Sequence, residues 1–331
     1  GVLDVGGSIF IASLKLLVVP LVFVSLVCGC SELGSNRRMG GMALRTMALY
    51  MLTTAIAISL ALFVANLVNP GVDMNLSSDV TFNPESRPSF KEVLVNIVPT
   101  NPIQAMAEGN MLQIIVFSIL MGIAIARCGE AGKKVTEIFN SFNVVIMKMV
   151  VILMHLAPYG VFCMLAKLFA SQGYSAIADL AWYFFTVVVV LLLHSLGVYS
   201  LLLSALTRLS PVAFFCNIRP ALLFAFSTSS SNATLPVTLN VAEKRLGVDN
   251  AVASFTLPLG ATINMDGTAI MQGVATVFIA QAFNVDIGLI GYLTVILTAT
   301  LASVGTAGVP GVGLITLAMV LQQVGLPVEG I

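Results

Sequence analysis

A chain of 331 residues that is 58% hydrophobic and only 9% charged, with a mean hydropathy of +1.02, lies far from soluble domains, in which roughly 25% of residues are charged. Its 15 Lys and Arg balance its 15 Asp and Glu, so nothing marks a nucleic-acid partner. Uncharged, helix-length runs of Leu, Val, Ile and Ala exclude both a soluble domain and a barrel of short alternating strands, and specify an all-α polytopic membrane protein.

The chain opens at Gly1 inside an apolar run, with neither an initiator Met nor a cleavable leader, and stops at "GLPVEGI"; both ends are expected to be cut from a longer protein. Apolar stretches predict spans near 5–29, 44–69, 93–126, 136–170, 177–206 and 250–284. Basic residues sit in alternate connections: Arg37, Arg38 and Arg45; Arg127, Lys133 and Lys134; Arg208 and Arg219; Lys244 and Arg245. Cytoplasmic loops collect such residues, so the first span runs inward and the polar stretch from Asp73 to Glu92 faces outside. The odd set of Cys28, Cys30, Cys128, Cys163 and Cys216 has neither disulfide-framework nor zinc spacing and reads as small apolar side chains.

Two uncharged segments are not simple spans. Pro220 to Ala242 is divided by "FSTSSSNATLP", where Ser, Thr and Asn side chains compete with the helix for backbone bonds. Each half is expected to be too short to cross, giving a re-entrant hairpin. Ile287 to Val328 would be roughly 60 Å long as one straight helix, about twice the hydrocarbon core. It is expected to turn back at "SVGTAGVPGVG", Ser303 to Gly313, where glycines and Pro310 interrupt the helix. Two polar-tipped hairpins, one from each side, predict an inverted-repeat transporter with its site at the midplane.

Between the hairpins, "ATINMDGTAIMQ", Ala261 to Gln272, places Asn264 and Asp266 within apolar sequence. A carboxylate at the bilayer centre costs about 2.5 to 3.5 kcal/mol on insertion scales and calls for a partner or a role. A break at "NMDG" offers carbonyls around Gly260 and Asn264 at one helix end, together with the Asn264 and Asp266 side chains. Such an oxygen set suits a hard cation. Tyr50, Thr53 and Thr54 share a helix face at i, i+3 and i+4. As a local pattern their hydroxyls read as bonded to their own helix. His155 and His194, the only histidines, each read as alone on an apolar helix.

At this point "STSSSNATLPVT", "LPLGATINMDGTA", "GTAGVPG" and "VPTNP" closely resemble the dicarboxylate/amino acid:cation symporter family, which includes the glutamate transporters, across essentially the whole chain. The resemblance implies a homotrimer in the plasma (bacterial inner) membrane, with transport domains moving as elevators against a scaffold. Residues 1–40 and 93–175 are expected to be scaffold, 73–92 an extracellular loop, and 41–72 and 176–331 transport domain, with hairpins near 210–242 and 287–326. Substrate is expected at Ser229, Ser230, Ser231, Met265, Thr268, Gly308, Val309 and Gly313. Co-transported Na+ is expected at Gly260, Thr262, Asn264, Met265, Ser303, Val304 and Thr306, and at Tyr50, Thr53, Thr54, Asn264 and Asp266. No organic cofactor is implied; the expected partners are membrane lipid and a small amino acid or dicarboxylate, foremost glutamate or aspartate.

Proton-coupled relatives tend to read N-L-D-G-S and to lack the Thr of "GTAGVPG"; this chain keeps Met265, Thr268 and Thr306, which favours sodium. A proton-coupled dicarboxylate or neutral amino acid symporter is the alternative. The family pattern has a span before Gly1 and a helix after Ile331 that carries further substrate and cation ligands, so these 331 residues alone are not expected to transport. A channel would need rings of like charge or a carbonyl filter, and neither is evident. An intramembrane enzyme would need a base beside its nucleophile; H-E-x-x-H, G-x-S-x-G and P-loop patterns are missing, and no enzyme is expected.

Overall fold

The computed structural model describes residues 2–33, 40–72, 98–172, 175–303 and 312–327. These residues form helices throughout, and no strand occurs among them. Helices are the natural outcome in lipid, because each satisfies its own backbone groups where water cannot.

Helix α1, Val2–Leu33, and α2, Gly40–Val68, match the first two expected spans. The third differs: within 93–126 lie a short α3, Pro102–Glu108, and α4, Met111–Arg127. Asn101 opens α3 by accepting from the Ile103 and Gln104 N–H groups at 3.0 and 3.2 Å. Gly109 closes it at φ 71°, a left-handed cap that glycine adopts without steric cost. The fourth expected span, 136–170, is likewise two helices, α5, Glu130–Met154, and α6, Ala157–Gln172. They part at His155 and Leu156. Pro158 falls in the first turn of α6, where its missing N–H costs no hydrogen bond.

Helix α7, Ser175–Leu192, continues through a π turn, Leu193–Val198, into α8, Tyr199–Thr207. A helical hairpin follows: α9, Pro211–Thr228, packs on α10, Ser231–Lys244. Its first arm starts at Pro211, near the expected bound of 210, so Arg219 and Pro220 lie inside the arm. That arm is long and apolar enough to cross a membrane, unlike the expected short half after Pro220, whereas α10 has 14 residues. The break at Asn264 and Met265 separates α11, Asn250–Ile263, from α12, Asp266–Ala282. Helices α13, Gly288–Ser303, and α14, Val312–Gln323, pack on each other; the tip between them, 304–311, lies outside the described residues, as does the 73–92 loop.

Helix α12 forms the centre. It packs on α2, α7, α13 and α14, and almost every side chain from Ala269 to Ala282 is buried. On the other side α1 packs on α4, α5 and α6. Outward faces are apolar: Phe63, Val144, Phe162, Trp182 and Phe226 are all exposed. Among the described residues five helices are long and apolar enough to cross a membrane, and the chain is a multi-pass membrane protein.

Candidate functional site

The site begins at the break between α11 and α12. Asn264 ends α11 at φ −95°, ψ 89°, its N–H donating to the Gly260 carbonyl at 3.0 Å. Met265, half-buried, leads into α12 at φ −110°, ψ 50°. Asn and Asp are poor helix formers whose short side chains compete for backbone groups, so the chain unwinds here. The next helix starts at Asp266, two residues earlier than Thr268. The Gly260 carbonyl is thus already engaged once; its second lone pair is what remains for a ligand.

The hydroxyl face of α2 meets this break. Thr54 Oγ1 lies 2.5 Å from Oδ1 of Asp266, 3.3 Å from Oδ1 of Asn264 and 2.9 Å from the Tyr50 carbonyl oxygen. Thr53 Oγ1 lies 3.3 Å from the same Asn264 oxygen and 3.1 Å from the same carbonyl. A hydroxyl carries one proton, so two threonine protons are shared among these oxygens and the buried Asp266 carboxylate. The oxygens outnumber the protons available to them. A positive charge satisfies such a set, and all of its donors are the hard oxygens that a group 1 or 2 cation takes.

Tyr50 shapes the wall: its hydroxyl donates to the Thr256 carbonyl at 2.9 Å, and Gly260 packs against it. A Cβ on Gly260 would stand 2.8 Å from the Tyr50 hydroxyl. Gly260→Ala is therefore expected to break the Tyr50 to Thr256 bond and weaken cation binding by roughly tenfold, the equivalent of about 1.4 kcal/mol. Titrating sodium into the purified variant checks this.

The remaining expected residues divide. Thr268 and Gly313 meet: a Cβ on Gly313 would lie 3.2 Å from Thr268 Cγ2 and 3.1 Å from Met271 Cε. This brings an arm of the second hairpin to the start of α12. Ser229 caps α9 in the left-handed region at φ 50°, and Ser230 caps α10, accepting from the Ala233 N–H at 3.3 Å. Ser231 begins α10 and is exposed. Thr228 and Thr234 hydroxyls join the two arms at 3.2 Å. Thr262 is exposed, its hydroxyl bonded back to the Pro258 and Leu259 carbonyls at 3.3 and 3.0 Å. Ser303, buried at the end of α13, bonds the Thr300 carbonyl at 2.7 Å. Val304, Thr306, Gly308 and Val309 lie outside the described residues.

Sequence reasoning missed two partners of Asp266. Tyr199 donates its hydroxyl to Oδ2 at 2.6 Å, and His194 Nε2 lies 3.2 Å from the same oxygen. His194 is thus not alone on an apolar helix: it is buried against a carboxylate, 72 residues away in sequence. The available signal was a histidine and a tyrosine five positions apart in the uncharged stretch from Trp182 to Leu206.

Comparison with known proteins adds the context. The family model described as the sodium:dicarboxylate symporter family matches residues 1–331. An "Excitatory amino acid transporter" of Caenorhabditis elegans is 33% identical over 374 residues, covering 98% of this chain and 74% of its own length. A "Proton/sodium-glutamate symport protein" of Bacillus subtilis is 31% identical over 334 residues, covering 98% and 77%. "Excitatory amino acid transporter 2" of Mus musculus is 34% identical over 386 residues, covering 98% and 67%.

Proposed function

The chain belongs to the sodium:dicarboxylate symporter family, and from that premise we propose that it carries glutamate or aspartate into the cell on a sodium gradient. It is a cation-coupled symporter and not an enzyme. The observation that carries the sodium reading is the surplus of oxygens over protons where Thr53, Thr54, Asn264 and Asp266 converge. Relatives named for glutamate symport and excitatory amino acid transport support the acidic substrate.

In this reading sodium is cargo held by the Asp266 carboxylate, the Asn264 amide oxygen and the threonine hydroxyls. Substrate binds nearby among Ser229, Ser230, Ser231, Met265, Thr268, Gly308, Val309 and Gly313. Gly260, Thr262, Met265, Ser303, Val304 and Thr306 serve further sodium ions. The hairpin of α13 and α14 gates the outer side: its α14 arm lies against Thr268, so closure of the hairpin senses both ligands. The packing of α2, α7, α12, α13 and α14 on one another supports a transport domain of 41–72 and 176–331. Residues 1–40 and 93–175 then form the scaffold of a homotrimer along which it moves as an elevator.

A second reading, proton coupling, is favoured by the name of the Bacillus relative. Proteoliposomes with sodium and proton gradients imposed separately distinguish the two, using labelled aspartate, glutamate and a neutral amino acid. Uptake of the acidic substrates on a sodium gradient alone is expected. Uptake driven by protons alone overturns the sodium assignment.

A further inference from the structure

Asp266 presents its two carboxylate oxygens to different surroundings. Oδ1 faces Thr54, beside Asn264. Oδ2 faces the other way, to the Tyr199 hydroxyl at 2.6 Å and His194 Nε2 at 3.2 Å. A carboxylate has room for about four hydrogen-bond donors or ligands across its two oxygens. Two donors on Oδ2 therefore fix the plane of the group and leave Oδ1 as the face for an ion.

The backbone of the partner helix is what allows this. His194 and Tyr199 are five residues apart, and in an α-helix of 3.6 residues per turn they would point about 140° apart. Here the turn from Leu193 to Val198 is a π turn, and the Tyr199 N–H bonds the His194 carbonyl, an i to i+5 closure. That wider turn stacks one side chain above the other. Their rings lie 4.6 Å apart at 64°, and both reach the same oxygen. Single π turns of this kind carry a cost in helix regularity and recur at functional sites. His194 itself is committed to this one contact: its Nδ1 is buried and has no hydrogen-bond partner among the described residues.

We propose that the π turn with His194 and Tyr199 is a positioning device for the cation site, holding Oδ2 of Asp266 so that Oδ1 stays aimed at the ion between Thr54 and Asn264. Neither residue touches the cation. The inference rests on the sodium reading of this cluster and adds the groups that orient its Asp266 carboxylate. Outer partners of this kind typically contribute about 10- to 100-fold in metal affinity.

The test is calorimetric titration of sodium chloride into the purified full-length protein without amino acid, choline chloride holding ionic strength constant. Wild type is compared with Tyr199→Phe, His194→Leu, His194→Gln and Asp266→Asn. Tyr199→Phe removes one oxygen and keeps the ring, so it is expected to weaken sodium binding about tenfold with thermal stability in sodium-free buffer unchanged. His194→Leu is expected to do the same, and His194→Gln, which keeps an N–H donor at similar reach, to recover most of the loss. In uptake assays the shift should fall on the sodium half-saturation, while the amino acid half-saturation at saturating sodium stays put. If Asp266→Asn weakens sodium binding but Tyr199→Phe leaves it unchanged, the positioning role is wrong and the sodium reading stands. If Tyr199→Phe weakens binding only in proportion to a lowered thermal stability, its role is structural and the proposal is overturned. If none of the variants alters sodium binding, both the proposal and the sodium assignment fall.

Discussion

Asp266→Asn is expected to raise the sodium needed for half-maximal uptake by roughly 100-fold or more, while the protein still folds. The substitution keeps the shape and one oxygen but removes the charge. Withdrawing one partner from a buried charge interaction costs about 3–5 kcal/mol, and each 1.4 kcal/mol is tenfold in affinity. Folding tolerates the change because Thr54 and Tyr199 can still bond an amide, and among the described residues no basic side chain other than His194 is paired with the group. Sodium dependence of uptake in proteoliposomes, read beside the thermal stability of the variant, checks both halves. An unchanged sodium dependence would remove Asp266 from the cation site.

Gly273→Leu is expected to be the most damaging change away from the site. A Cβ at this position would stand 2.9 Å from the Cβ of Ala61, and Ile58 and Ala61 are fully buried. Without a hydrophobic force between helices in lipid, small residues that allow close approach are what hold them together. Overpacking a buried contact costs typically 1–3 kcal/mol and occasionally more, so a lowered thermal midpoint and a reduced monodisperse fraction in detergent are expected. The effect should reach the ion as well. Thr54, Ile58 and Ala61 form one stripe on α2 at i, i+4 and i+7, facing Asp266, Ile270 and Gly273 on α12 with the same spacing. Prying the helices apart at Gly273 therefore draws Thr54 from Asp266, and sodium affinity should fall with stability. Normal stability and sodium affinity in Gly273→Leu would show that this contact yields freely.

Much of this was legible in the sequence because it follows from local chemistry. The break at "NMDG" is two poor helix formers followed by a glycine, and the structure breaks the helix there. The face of Tyr50, Thr53 and Thr54 is a matter of helical spacing. The pattern was weaker where an interruption is short. Gly109, within the polar "EGN", and the stretch before Pro158 end helices inside what reads as single spans, because hydropathy averages over a few residues. It failed for His194 and Tyr199. Their α-helical spacing puts them on different faces, and the π turn brings them to one oxygen. No local pattern announces a partner on another helix 72 residues away.

The charge inventory at the break between α11 and α12 bears on which ions it can let go. Among the described residues a single carboxylate serves the cluster, and no group of three or more His, Cys, Asp or Glu able to hold a metal occurs. Divalent cations bind tightly where several carboxylates converge; one negative charge neutralises one monovalent ion and leaves a divalent ion undercompensated. Asp266 also opens α12, whose N-terminal dipole end repels cations, which tempers the attraction further. Under the proposed sodium coupling, a site of this strength would fill where sodium is abundant and empty where it is scarce, as an ion that is carried rather than kept has to be surrendered at the end of each cycle.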